Sequence, residues 1–306
     1  MKFHKLVVVD NTGMNQRAKD RLRELSDSVA FYDDFPQDSQ LVKDRICGAD
    51  GLMVSYVTPI TREIIESCPT LRYIGMCCTL YGEDHCNVDL RCAREKGIEV
   101  KGITDYGDQG VIEYGISALV DLLHGFQGLR WKERPQELDG QKIGMLGLGN
   151  TGMKLAKALQ IFGAEIYYCC RSEKEEANAL GMKFLPLPQL LQTVDIVAAQ
   201  LPRDCILLGE EEFRLFGSGK ILLNTSIGPV FSMHAMKKWL EDPNNYYLCD
   251  EVGMEGCGDS LEGYPNVLCC KGCAGSSTQC TFRLSEKSVA NAEAFLGIEH
   301  SGWKEN

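Results

Sequence analysis

The stretch Lys142-Ile143-Gly144-Met145-Leu146-Gly147-Leu148-Gly149-Asn150-Thr151-Gly152 constrains this chain more than any other. It reads as a short apolar strand that turns through glycines into a helix. Gly147, Gly149 and Gly152 fill the template G-x-G-x-x-G. In that template the first glycine allows a tight turn, the second lets backbone approach a pyrophosphate, and the third lets helix and strand pack closely. The helix N-terminus adds free N–H groups and a positive dipole end. Glycine-rich turns are common, so context carries the argument. Met153, Leu155, Ala156, Leu159 and Phe162 follow at helical spacing, and a second strand, Glu165 to Cys170, completes a βαβ unit. The stretch therefore predicts a dinucleotide site held by Gly147, Gly149, Asn150, Thr151 and Gly152.

Alternation continues on both sides. Before the glycine turn, strands are expected at Leu6–Val9, Gly51–Ser55, Leu71–Met76 and from Ile98. Helices are expected at Gln16–Leu25, Thr61–Ser67 and Val88–Lys96, with Thr61 as an N-cap. After it, strands are expected at Asp195–Ala199, Lys220–Asn224, Tyr246–Asp250 and Asn266–Cys270. A long apolar helix, Gln109 to Phe126, and a closing helix, Ser285 to Leu296, complete the pattern. This predicts an α/β protein with parallel sheets covered by helices on both faces.

The net charge of -11 argues against nucleic acid or an anionic membrane as a main partner. No apolar run reaches membrane-spanning length, and Met1-Lys2-Phe3-His4-Lys5 leads straight into a strand rather than a signal peptide. Fifteen cysteines is a high count, yet pairs such as Cys169-Cys170 lie inside apolar strands. That fits reduced thiols and a cytoplasmic location. Cys270 and Cys273 form one C-x-x-C, which reads as a redox pair or as chance in so cysteine-rich a chain. Cys77, Cys78, His85 and Cys86 match no familiar zinc spacing, and no metal is expected.

Several stretches together resemble the D-isomer-specific 2-hydroxyacid dehydrogenase family almost end to end. They are Asn87-Val88-Asp89-Leu90, Gly97-Ile98-Glu99-Val100, Gly110-Val111-Ile112-Glu113, the glycine turn, Asp195-Ile196-Val197 with Leu201-Pro202, Leu223-Asn224-Thr225-Ser226, and Pro265-Asn266-Val267. The resemblance implies two Rossmann-like domains with doubly wound parallel sheets and a cofactor cleft between them. It places an outer domain at 1–103, completed by 283–306, and the dinucleotide-binding domain at 104–282. It also implies a homodimer, a small-molecule substrate, and cofactor contacts from Leu201, Pro202, Thr225, Ser226 and Asp250.

The family's chemistry uses an arginine after the Asn-Thr-Ser stretch, a histidine after the Pro-Asn-Val strand, and a glutamate that pairs with that histidine. Here the arginine position falls on Ile227 and the histidine position on Gly272, or on Cys273 if the register slips by one. No arginine lies between Arg214 and Arg283, and no histidine between His234 and His300. Glu255 keeps the glutamate position, either in a catalytic role or as a solvated loop carboxylate. The substrate loop is longer than the family's short glycine turn and brings Thr79, Tyr81 and His85, either as new donors or as surface decoration. Tyr106, Lys271 and Cys273 are further candidate proton donors. A hydrogen bond to a charged group is worth ~1.5–3 kcal/mol, and general acid catalysis ~10²–10⁴ in rate. Losing both should disable ordinary 2-keto acid reduction, and isoleucine makes that wall apolar, which disfavours a carboxylate and points to an apolar or uncharged carbonyl or another reducible double bond.

An acid usually ends the second strand to hold the ribose 2′-hydroxyl. That position is Cys170, followed by Arg171 and Ser172. A cation and a hydroxyl suit a 2′-phosphate, so NADP(H) is favoured over NAD(H); otherwise Arg171 is an exposed loop cation. The expectation is an NADPH-dependent oxidoreductase with altered substrate specificity, reducing a carbonyl or other activated double bond. The alternative is a non-catalytic NADP(H)-binding sensor or scaffold of the same fold.

Overall fold

Strand pairing is parallel in both sheets of the computed structural model, which describes residues 1–261 and 263–304. The chain forms two compact units: Met1–Tyr106 with the segment from Ser277 onward, and Gly107–Ser276. The crossings lie at 106/107 and 276/277, where the sequence suggested 103/104 and 282/283. The second difference has a local cause. The Ser277 side chain accepts a hydrogen bond from Cys280 N, so the closing helix begins at Thr278 and not at Ser285. Its first turns are too polar to show an apolar face.

In the first unit the chain runs β1 (Phe3–Val8), α1 (Gln16–Glu24), β2 (Ser26–Phe31), α2 (Ser39–Ile46), β3 (Gly51–Val54), α3 (Arg62–Ser67), β4 (Tyr73–Met76), α4 (Leu90–Glu95) and β5 (Glu99–Lys101). The strand order is β2-β1-β3-β4-β5. Because successive strand residues face opposite ways, the sheet builds two cores. Val7, Leu52, Val54 and Ile74 pack towards Val42, Ile64 and Ala93 on one face. Phe3, Leu6, Val8 and Tyr73 pack on the other face towards Ala18, Leu22 and Val289. Asn15, Asp38 and Asp89 cap α1, α2 and α4 through their side chains. Thr61 holds the N-cap position of α3 without a side-chain cap bond.

The second unit continues α5 (Asp108–His124), β6 (Lys142–Leu146), α6 (Asn150–Ile161), β7 (Glu165–Cys169), α7 (Glu175–Ala179), β8 (Lys183–Phe184), α8 (Leu187–Thr193), β9 (Ile196–Ala199), α9 (Glu210–Phe216), β10 (Ile221–Asn224), α10 (Met233–Leu240), β11 (Tyr246–Cys249) and β12 (Val267–Cys269). The closing helix of the first unit, α11, spans Thr278–Phe295. The second sheet has the order β12-β11-β10-β9-β6-β7-β8. Ile143, Met145, Ile196 and Leu223 face Leu119, Leu155 and Leu159, while Val197, Ala199, Leu222 and Tyr247 face Leu190, Phe213 and Trp239. Helices cover both faces, so the sheet is doubly wound. The strand order reverses direction between β6 and β9. Ligands bind at such a switch point, outside the carboxyl ends of the strands.

Candidate active site

Three glycines shape the carboxyl end of β6, each for its own steric reason. Gly147 has φ +84°, and a Cβ there would meet Gln200 O at 2.4 Å. A Cβ on Gly152 would meet Gly147 O at 2.5 Å, so α6 crosses the turn at a distance that excludes any side chain. Gly149 has nothing within 4 Å of its Cβ position. That open face at the N-cap of α6 leaves room for a pyrophosphate against backbone, so this cradle fits the group its motif implies.

The side chains of the first turn of α6 have a partner absent from the sequence reading. Asp108, the first residue of α5, accepts hydrogen bonds from Asn150 Nδ2 at 2.7 Å and Thr151 Oγ1 at 2.6 Å. It also accepts one from Lys154 Nζ at 2.9 Å. One carboxylate thus gathers three polar groups of the helix that carries the glycine turn.

At the end of β7 the Cys170 thiol donates to Ser172 O at 2.9 Å, and Arg171 and Ser172 are exposed. Glu165 sits at the opposite end of the strand. No acid therefore follows β7 where a ribose 2′-hydroxyl would be held; a cation and a hydroxyl do.

The loops after β9 and β10 are sewn together. Leu201 N donates to Ser226 Oγ at 2.9 Å, and Gln200 Nε2 bonds Thr225 Oγ1. Buried Asn224 donates to Gly228 O at 3.0 Å and accepts from Ser226 N at 3.0 Å. Pro202 precedes Arg203, whose Nη2 donates to Glu255 Oε1 at 3.1 Å. Glu255 thus pairs with an arginine where the family pairs it with a histidine. Ile227, on the loop after β10, is half-buried.

The segment after β12 is fastened by two acids. Asp250, only 2% exposed, accepts from Gly253 N at 2.8 Å and Ala274 N at 2.7 Å. Glu251 Oε2 accepts from Gly272 N at 2.9 Å. Gly272, one of the two positions (with Cys273) where the resemblance puts the family's histidine, has φ +96°. The local backbone is therefore one that an L side chain adopts at a cost. Lys271 and Cys273 are exposed. Cys270 is bonded to the Tyr114 hydroxyl, and burial raises its thiol pKa, which lowers its thiolate fraction.

In the first unit the sequence candidates partly converge. Thr79 hydrogen-bonds Tyr106, and Tyr81 lies close enough to act on it electrostatically. Burial first, then the neighbouring Cys78 and Tyr81, push the Tyr106 phenol well above its usual range. Tyr81 is 53% exposed, and His85 closes a 3-10 turn, Glu83–His85. Cys77 and Cys78 are buried, and burial pushes the Cys77 thiol up to about 12. Among the described residues no cluster of His, Cys, Asp or Glu is arranged to hold a metal ion. No helix there is long and apolar enough to cross a membrane.

Asp108, Lys154, Arg203 and Tyr114 are the site residues that sequence reading missed. A partial signal existed for Lys154, one helical turn beyond Asn150 on the same face. Arg203 directly follows Leu201-Pro202 but has no counterpart in the motif.

Residues 120–266 match the NAD binding domain of the D-isomer specific 2-hydroxyacid dehydrogenases. A hydroxypyruvate reductase of Blautia hydrogenotrophica is 26% identical over 95% of this chain and 97% of its own length. A Staphylococcus haemolyticus protein classed with the 2-hydroxyacid dehydrogenases is 30% identical over 67% of this chain and 69% of its own. A crystal structure of a Thermus thermophilus protein superimposes with a TM-score of 0.80 at 25% identity, covering 97% of this chain and 99% of that one. The glycine cradle, the doubly wound sheets and these matches along the chain agree, and the protein belongs to the D-isomer specific 2-hydroxyacid dehydrogenase family of oxidoreductases.

Proposed function

We propose that the chain is an NADPH-dependent oxidoreductase of this fold with altered substrate specificity, reducing a carbonyl or other activated double bond. One juxtaposition carries the reading: a sterically complete glycine cradle in the same unit as a segment, 235–276, that contains no histidine. The relative named hydroxypyruvate reductase, matched over 95% of this chain, supports the oxidoreductase class. Bound NADPH supplies the hydride. Gly147, Gly149 and Gly152 would leave room for its backbone contact, and the first-turn amides of α6 would hold its pyrophosphate. Arg171 and Ser172 suit a 2′-phosphate. Leu201, Pro202, Thr225 and Ser226 line the neighbouring strand ends. Asp250 acts there by fixing backbone at Ala274.

Proton delivery in this reading does not come from position 272. Tyr106, whose hydroxyl Thr79 hydrogen-bonds, is one candidate donor. Tyr81, His85, Lys271 and Cys273 are the other candidates. The enzyme is taken to act in the cytoplasm as a homodimer on a small molecule.

A second reading is a non-catalytic NADP(H) sensor or scaffold, favoured by Ile227 at the family's arginine position and Gly272 or Cys273 at its histidine position. NADPH oxidation against ketones, enones, glyoxylate, hydroxypyruvate and pyruvate separates the readings. Ordinary dehydrogenase rates on the three 2-keto acids would sink the altered specificity. Tight NADPH binding with no turnover, together with a partner recovered by pull-down, favours the sensor.

A further inference from the structure

Two neighbouring strands of the second sheet end on cysteines that stand side by side. Cys249 closes β11 and Cys269 closes β12, and the parallel register pairs them directly. Neighbouring strands lie about 4.7–4.9 Å apart, inside the window of roughly 4.4–6.8 Å between Cα atoms that a disulfide spans. The two thiols are hydrogen-bonded to each other. Cys249 is buried, and its sulfur also meets the Tyr247 hydroxyl. Cys269 is exposed, on the strand at the edge of the sheet. Cys257, buried as well, lies close enough to Cys269 to act on it electrostatically. Cys270 faces the other way, as the next residue along a strand does, and bonds the Tyr114 hydroxyl against the opposite core.

We propose that Cys249 and Cys269 are a reversible disulfide site whose oxidant is a small-molecule disulfide such as oxidised glutathione. Exposure makes Cys269 the thiol that meets the oxidant, and burial makes Cys249 the one that resolves it. The hydrogen bond sets the same order. Burial raises both thiols, but the bond between them favours the ionised sulfur on Cys269 and keeps the proton on Cys249. In the first step the Cys269 thiolate attacks one sulfur of oxidised glutathione. A bond from Cys269 to glutathione forms, the glutathione S–S bond breaks, and one glutathione leaves with the proton that Cys269 gave up. In the second step the Cys249 sulfur attacks the Cys269 sulfur. The Cys249–Cys269 bond forms, the bond to glutathione breaks, and the second glutathione leaves with the Cys249 proton. Two protein thiols are oxidised and one small disulfide is reduced to two thiols. Because burial lowers the thiolate fraction, the bridge forms slowly. β12 has three residues and one neighbouring strand, so little resists the approach that an S–S bond needs. The bridge ties the strand ends just before Asp250 and Cys270, and the site does not depend on the nucleotide reading.

The test uses the full chain, fully reduced and then equilibrated in glutathione buffers of stepped reduced-to-oxidised ratio. Acid quenching, alkylation and peptide mass spectrometry map the products for wild type, C269S, C249S and C257S, with thermal melts to report folding. Wild type should yield a Cys249–Cys269 cross-linked peptide that dithiothreitol removes. C269S, changed at an exposed position, should leave Cys249 free. C249S should accumulate glutathione on Cys269 at least about fivefold above wild type, because nothing resolves the adduct. C257S should form the bridge within about twofold of wild type. Absence of the Cys249–Cys269 peptide in the most oxidising buffer overturns the proposal, as does a bridge made by Cys257 with either cysteine instead. A glutathione adduct on Cys269 that persists in wild type overturns it too, and this comparison needs no variant to fold.

Discussion

Asp108 and Lys154 form an ion pair, Oδ2 to Nζ 2.9 Å, that joins the first residue of α5 to the second turn of the helix behind the glycine cradle. Asp108 is mostly covered, at 16% side-chain exposure, and also holds Asn150 and Thr151. A carboxylate therefore sits beside the helix end that the pyrophosphate reading needs positive.

That placement predicts a gain from its removal. Asp108→Asn should tighten NADPH binding several-fold, since a like charge near the phosphates is gone while the amide can still hydrogen-bond Thr151. The gain should shrink at high salt. Stability should fall by no more than about 1 kcal/mol, the scale of a partly exposed pair. Fluorescence titrations at two ionic strengths check this; unchanged or weaker binding at low salt would count against it.

The glycines separate folding from binding. Gly149→Ala has open space around its Cβ, so stability should hold within about 0.5 kcal/mol while NADPH affinity falls at least tenfold. Gly147→Ala combines φ +84° with a Cβ at 2.4 Å from Gln200 O, and should lose both binding and more than ~1–2 kcal/mol of stability. Denaturant melts and NADPH titrations on the two variants provide the contrast.

Placing a histidine at 272, one of the two registers that the resemblance allows, should fail. Gly272→His places a side chain at φ +96° in a segment pinned by Glu251. It should lower the melting temperature and give no appreciable glyoxylate reduction, even together with Ile227→Arg. Steady-state assays of the double variant test this, with Gly272→Ala reporting the backbone strain alone. Efficient glyoxylate turnover by the double variant contradicts it.

Acid sensitivity should trace in part to Asp50. Its burial opposes ionisation, but Arg72 Nη2 at 2.7 Å and the N–H groups of His4 and Lys5 outweigh it, so its carboxyl titrates below the usual range. A folded pKa below the unfolded value of about 3.9 adds stability above that pH. The contribution is lost as pH falls through the lower, folded value. Asp50→Asn should melt earlier than wild type at pH 7, and the gap should close as the pH drops below about 4. Thermal melts across that window decide it.

The strands were legible where both faces are covered. Ile221-Leu222-Leu223 and Ile196-Val197-Ala198 are apolar throughout because helices lie on either side. β2, from Ser26 to Phe31, escaped notice for the opposite reason: it is an edge strand, and most of it is only half-buried or exposed. α2 and the two-residue β8 were missed likewise, since short elements give too few periods to read.

By itself the sequence determined the alternating architecture, the glycine cradle, and the absence of any arginine between Arg214 and Arg283 and of any histidine between His234 and His300. These follow from local spacing and from simple counts, which need no coordinates. The partners were decided only by tertiary structure: Asp108 on α6, Arg203 on Glu255, Glu251 on Gly272. Each joins loops or helix ends far apart in the chain, and side chains at such separations meet only where the parallel strands bring their carboxyl ends to one edge. A charge's role depends on the group it faces, and no spacing along the chain encodes that.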